Sequence, residues 1–214
     1  MARITVLGGT GYAGSRIAHE AAARGHAVTS FSRTMPASPL PEVNYVLGSA
    51  LDLNAVAEAI SGADVVVISL APTGDLEGRF PKTVLDIAEV ARTAGARLGV
   101  VGGAGTLLMT PEGPAVADAP EYPPAYREFS VAADGVLQGL RASDETIDWF
   151  VLTPASEFGA YAPGEALGRY RVGTDVLLKD DEDHSQISGV DFASAFVDEV
   201  DEPVHHRSRF TVAY

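Results

Sequence analysis

Three glycines, Gly8, Gly11 and Gly14, stand three residues apart in "ITVLGGTGYAGSRIA", where an apolar run gives way to a helical pattern. At a strand-to-helix turn each has a separate use. The first lets the chain turn sharply, the second lets backbone approach a pyrophosphate, and the third lets the helix pack closely on the strand. The N–H groups that open the helix then point at the phosphates. A glycine-rich turn with no ligand would look the same in isolation. Its place after the first strand of an alternating chain favours a dinucleotide. A site for NAD carries Asp or Glu about 20 residues further on, to hold the ribose 2′-hydroxyl. That segment here is "VTSFSRTMP", which has no acid and offers Ser32, Arg33 and Thr34. A guanidinium with hydroxyl neighbours suits a 2′-phosphate; the competing reading of Arg33 is a solvated loop residue. The expected cofactor is NADPH, with NADH less favoured.

These residues need a frame. "RITVLGG" reads as a buried strand and "YAGSRIAHEAAAR" as a helix that Gly25 ends in a left-handed conformation. "HAVTSFSR" and "VNYVLGSA" are the next strands, followed by a helix over 52–60. "ADVVVISLA" is apolar almost throughout, as befits a central strand covered on both faces. "PKTVLDIAEVARTAG" is a helix with Pro81 in its first turn and Gly95 at its end. "ARLGVVGGAG", a helix over about 124–141 and the strand "IDWFVLTPA" complete the alternation. Such alternation means an α/β fold, a doubly wound parallel sheet of the Rossmann type. After residue 155 the pattern changes. Short strands are expected at 169–172 and 175–179, a helix at 190–200, and a last strand in "SRFTVAY". Residues 156–214 are too few for a second domain, so 1–214 is read as one domain whose C-terminal segment covers the substrate crevice.

Composition narrows the function. Hydrophobic residues make up 46% and charged residues 21%, as in an ordinary globular protein. There is no cysteine, which removes disulfides, thiolate metal sites and cysteine nucleophiles. A net charge of −14 argues against nucleic acid and anionic membrane as partners. No apolar run is long enough to cross a bilayer and no secretory leader is evident, so a cytoplasmic location is the default expectation.

Several segments resemble the atypical short-chain dehydrogenase/reductases. They are "GGTGYAG", "SRT", "VVGGAGTLLM", "YPPAYRE", "LTPASEF", "GRYRVGTDVLL", "SQISGVDFASAFVDEV" and "RFTVAY". The nearest branch is the NAD(P)-binding, NmrA-like group that includes NAD(P)H-flavin reductases, related in kind to flavin reductases of the biliverdin reductase B type. The resemblance spans essentially the whole chain and implies a Rossmann fold that binds NADPH. It would put Gly8, Thr10, Gly11, Tyr12 and Ala13 along the pyrophosphate and Arg33 at the 2′-phosphate. Ala50 and Leu51 would lie near the adenine, and Ser69, Leu70 and Ala71 would face the ribose. Gly102 and Gly103 would leave room on the nicotinamide side, and Pro154, Ala155 and Ser156 would meet the nicotinamide. Simple packing is the competing reading for the apolar members of this set.

A typical short-chain dehydrogenase uses a Tyr with a Lys four residues on, the Lys lowering the tyrosine pKa. No Tyr-x-x-x-Lys occurs in this chain, and the segment after the fifth strand reads "GGAGT" with no serine. Carbonyl reduction by that mechanism lacks its acid. Hydride transfer to a flavin, quinone or similar planar acceptor asks less of the protein, because solvent can protonate a delocalised anion. Gly102, Gly103 and Gly105 could leave a flat space for such an acceptor. Tyr126 is the one candidate for a protein proton donor, and a pocket-wall role is its competing reading. The first function read from the sequence is thus an NADPH-dependent oxidoreductase with a planar small-molecule acceptor. The alternatives are a non-catalytic NmrA-like NAD(P) sensor and, less favoured, an NAD-dependent epimerase or dehydratase.

Other chemistries find little. His19, His26, His184, His205 and His206 have no zinc spacing and read as surface or turn residues. "KDDEDH" reads as a solvated turn, and no metal site is expected. Hydrolase-elbow and P-loop patterns are missing. "SGVD" at 188–191 reads as a capping box with Asp in place of Glu, and Trp149 as core.

Overall fold

The computed structural model describes residues 1–214. Eight strands are present: β1 (Arg3–Leu7), β2 (Ala27–Ser32), β3 (Val43–Leu47), β4 (Val65–Ile68), β5 (Arg97–Val101), β6 (Trp149–Thr153), β7 (Arg171–Gly173) and β8 (Ser208–Ala213). They form one sheet in the order β3-β2-β1-β4-β5-β6-β8-β7. All pairings are parallel except β7 with β8. The helices are α1 (Tyr12–Ala23), α2 (Leu53–Ala59), α3 (Phe80–Thr93), α4 (Arg127–Arg141) and α5 (Gly189–Asp201).

The apolar strands divide their side chains between two cores. On β4, Val65 and Val67 join the cluster beneath α1 and α5, while Val66 and Ile68 join the cluster beneath α2, α3 and α4. Period-two alternation within an all-apolar strand is what burial on both faces requires. Gly25 and Gly95 end α1 and α3 as expected. Each has positive φ (85° and 71°), and the next residue closes the turn, His26 N–H onto Ala21 O and Ala96 N–H onto Ala91 O.

The C-terminal segment departs from expectation in two ways. β8 is not a cover: it lies inside the sheet between β6 and β7, and α5 packs against α1. The loop from Ser156 to Gly168 approaches the start of α1 through the Phe158 ring and the Pro163 carbonyl against Tyr12, and Gly189 of α5 lies beside the same tyrosine. The strand expected at 175–179 is reduced to a bridge between Val176 and Leu108. The segment's backbone bonds go to Leu108, which donates to the Asp175 carbonyl at 2.8 Å and accepts the Leu177 N–H at 2.9 Å, while the Asp175 carboxylate accepts Arg209 Nε at 2.6 Å.

Two histidines, His26 and His205, differ from the surface reading, whereas His19, His184 and His206 are exposed as expected. His26 is 8% exposed and accepts the Ala2 N–H on Nδ1. His205 stacks on Phe210 and sits 2.6 Å from the buried Glu199 carboxylate, which also receives Arg97 Nη2 at 2.6 Å. Burial pushes Glu199 up, but the hydrogen bonds from Arg97 and His205 outweigh it and hold the group below its ordinary value. This network lies where β5 and β8 begin, at the end of the sheet away from the glycine turn. In "KDDEDH", Asp180 accepts the N–H groups of Glu182 and His184, an exposed turn as expected.

Candidate functional site

The glycine turn is built as the spacing predicts. Gly8 has φ +85°, and a Cβ there would lie 2.3 Å from the Ser69 carbonyl oxygen. A Cβ on Gly14 would lie 2.3 Å from the Gly8 carbonyl oxygen, so that glycine is what lets α1 close on β1. Gly11 is different: a Cβ there would meet only the Gly8 and Ser69 carbonyl oxygens, at 3.3 and 4.0 Å. The backbone at Gly11 is bare rather than packed. Gly11 is also the N-cap of α1, which has no side-chain cap and no acid in its first turn. The N–H groups of that turn have no intrahelical partner and stand free for an anion.

In front of this turn lies a cleft of about 480 Å³ at the C-terminal ends of β1, β2, β3 and β4. It gathers Gly8, Thr10 and Gly11 from the first turn, Ser32, Arg33 and Thr34 from the second, Ala50 and Leu51 from the third, and Ser69, Leu70 and Ala71 from the fourth. The volume suits a small-molecule site. The Ser32 hydroxyl donates to the Thr34 carbonyl at 2.8 Å, which fixes the turn that carries Arg33. Arg33 is two-thirds exposed, and its Nη1 donates to Asp75 at 3.0 Å. An uncapped helix, bare backbone beside it and a guanidinium at the far end offer N–H donors that phosphate oxygens can accept.

Phe31, Gly48, Ser49, Thr73, Asp75 and Leu76 complete the lining and were not among the expected residues. A Cβ on Gly48 would lie 2.4 Å from the Phe31 ring, so that glycine lies flat against it. A glycine directly after the third strand was the visible signal for this contact.

The remaining expected residues stand elsewhere. Ala13 is 8% exposed and packs into the core with α1. Tyr12 lies edge-on to Phe158 at 5.3 Å with Arg16 over its ring at 3.9 Å. Pro154 and Ala155 are buried at the end of β6, Ala155 within the core. Ser156 is exposed and bonded to Ser185. Tyr126 is 47% exposed, its ring edge-on to Phe129.

The flat space expected over Gly102, Gly103 and Gly105 is partly taken. A Cβ on Gly102 would lie 2.5 Å from Thr153 Oγ1. A Cβ on Gly105 would lie 2.1 Å from Ser130 Oγ and 2.7 Å from the Tyr122 hydroxyl. Only Gly103 is nearly free, with Ala133 Cβ at 3.2 Å from such an atom. Gly105 thus admits a hydroxyl pair, Tyr122 and Ser130 at 2.8 Å, beside the turn that follows β5.

Residues 8–203 match the NAD(P)H-binding family. The chain belongs to that family. Among solved structures, a protein of Burkholderia pseudomallei provisionally named as exported is 35% identical, with all of both chains covered and a TM-score of 0.88. A provisionally named epimerase of Bacteroides thetaiotaomicron is 31% identical over 100% of this chain and 97% of that one, with a TM-score of 0.89. A provisionally named NADH-flavin reductase of Streptococcus pneumoniae is 25% identical over 100% and 99%, with a TM-score of 0.84. These names agree on no single reaction, so the acceptor must be argued from this chain's own residues. The cofactor class is a nicotinamide dinucleotide. No helix is long and apolar enough to cross a membrane.

Proposed function

We propose that this NAD(P)H-binding chain is a cytoplasmic oxidoreductase that takes NADPH and reduces a flavin, quinone or similar planar small molecule. The observation that carries the cofactor choice is the position of Arg33, with Ser32 and Thr34, at the rim of the cleft whose other wall is the uncapped turn of α1. Gly8 and Gly11 give the pyrophosphate its approach, Thr10 lines it, and Ala50 and Leu51 flank the adenine beside Phe31. Ser69, Leu70 and Ala71 border the ribose. Pro154, Ala155 and Ser156, with Gly103, bound the space proposed for the nicotinamide.

When bound, the nicotinamide supplies a hydride. The protein's part is to bind, orient and exclude water. With no Tyr-x-x-x-Lys in the chain, the reduced acceptor takes its further proton from solvent. Tyr126 then serves as an exposed wall, and the Tyr122–Ser130 pair holds the turn after β5.

The test is oxidation of NADPH by the purified protein with FMN, FAD, riboflavin and a simple quinone in turn, and NADH in parallel. Turnover with one acceptor and a preference for NADPH is expected, and Tyr126→Phe should keep kcat within about twofold, as a group outside the proton path would. Tight binding of NADPH with no turnover would overturn the reaction and leave a dinucleotide-responsive binder.

A further inference from the structure

Asp75 sits on a short strap, Thr73–Gly78, that runs between β4 and α3. The strap holds one tight turn, Gly74–Leu76, which opens on Gly74 (φ 58°) and is followed by Gly78 (φ 68°). A Cβ on either glycine would meet nothing within 4 Å. Backbone conformation, not crowding, is therefore what calls for glycine there. The strap's own backbone bonds are local, Leu76 N–H to Thr73 O and Glu77 N–H to Gly74 O. Its polar tie to a distant part of the chain is the Asp75 carboxylate on Arg33 Nη1 at 3.0 Å, with both side chains about two-thirds exposed (67% and 66%). Thr73, Asp75 and Leu76 line the same cleft as Arg33. The ion pair thus spans the cleft mouth from the β4 side to the β2 side.

We propose that Asp75 is a specificity-determining latch on Arg33, a reading that rests on Arg33 receiving the 2′-phosphate. A phosphate and a carboxylate cannot share the guanidinium cheaply. They compete for the same N–H donors and repel each other at that distance. A nucleotide with a 2′-phosphate must displace Asp75 and swing the strap on its glycines. A nucleotide with a bare ribose leaves the pair closed. Asp75 therefore weakens NADP(H) selectively and narrows the preference that Arg33 creates. An exposed pair is weak enough to open on binding, so it acts as a tunable tax and not a barrier.

Calorimetric titration of NADP⁺ and NAD⁺ into four proteins tests this: wild type, Asp75→Asn, Arg33→Ala and the double variant. Asp75→Asn should tighten NADP⁺ about tenfold, through the lost competition and the lost repulsion, and leave NAD⁺ within about twofold. The gain should shrink at high salt. In the Arg33→Ala background Asp75→Asn should gain only the smaller part due to lost repulsion, because the latch has nothing left to hold; a full tenfold gain there would overturn the latch. If Arg33→Ala weakens NADP⁺ alone but Asp75→Asn changes neither nucleotide, the latch is overturned and the cofactor reading stands. Loss of NAD⁺ affinity in Asp75→Asn also overturns the latch, since it would make Asp75 a direct ribose ligand. Equal losses for both nucleotides in Arg33→Ala would overturn the cofactor reading itself.

Discussion

Helices α1 and α5 pack together on one face of the sheet, and their N-termini are neighbours. A Cβ on Gly189, the first residue of α5, would lie 2.8 Å from the Tyr12 hydroxyl at the start of α1. Yet the two ends are finished in opposite ways. α5 is filled by its own chain. Ser188 Oγ accepts the Asp191 N–H at 3.0 Å. The Asp191 carboxylate, 3% exposed, accepts the Ser188 hydroxyl at 3.0 Å, the Leu167 and Gly168 N–H groups at 2.7 and 3.1 Å, and the Tyr214 hydroxyl. α1 has a glycine cap, no acid and an open cleft. The same dipole and the same unpaired N–H groups are used for stability in one helix and left for a ligand in the other.

Each end can be changed toward the other. The largest effect is expected for Asp191→Ala, which removes the buried acceptor shared by the Leu167 and Gly168 N–H groups and the Ser188 and Tyr214 hydroxyls. Chemical denaturation should record a loss of about 3 kcal/mol. Gly11→Asp would give α1 a cap of its own. The extended backbone at Gly11 (φ −74°, ψ 175°) admits a side chain, whose Cβ would press on the Gly8 carbonyl oxygen at 3.3 Å and so needs a shift of a few tenths of an ångström. Binding of either nucleotide should fall by roughly a hundredfold from like-charge contact with the pyrophosphate. Stability without nucleotide should rise by about 0.5 kcal/mol. A variant that kept its affinity would erase the contrast. Ser188→Ala should cost about 1 kcal/mol and leave nucleotide affinity unchanged in a binding titration.

The smallest effect concerns Tyr214. Burial and its hydrogen bond to Asp191 raise its pKa above the ordinary 10.0. A hydroxyl harder to ionise when folded contributes stability that is present below pH 10 and is lost as pH climbs from there through the folded value. Unfolding free energy should therefore fall less steeply above pH 10 in Tyr214→Phe than in the wild type, with α1 and its cleft unaffected.

What could be read from the sequence was what depends on near neighbours. Gly8, Gly11 and Gly14 declare a turn, Gly25 and Gly95 declare helix ends, and Arg33 with its hydroxyl neighbours declares its place after β2. All are local geometry. Asp75, Phe31 and Gly48 reach the cleft only because β4, β2 and β3 end side by side, a tertiary fact. His205 looked like a surface residue because its partners, Arg97 and Glu199, come from elements far apart in the chain. Gly105 was legible as a position without a side chain but not as the space that Ser130 and Tyr122 enter. "SGVD" was legible as a cap. That its acid also holds the 165–168 loop and the last residue depended on where that loop returns.

The pairing of α1 with α5 also sets an order of events during synthesis. Ile17, Ala18 and Ala21 of the first helix share their cluster with Phe192 and Phe196 of the last. Until those late residues leave the ribosome, the first helix has an apolar flank with no permanent cover, and β7 waits for β8 to be inserted beside it. Contacts so distant along the chain close slowly. A nascent chain would hold a recognisable glycine turn well before the element that steadies it exists, so competence to bind nucleotide should appear late and all at once.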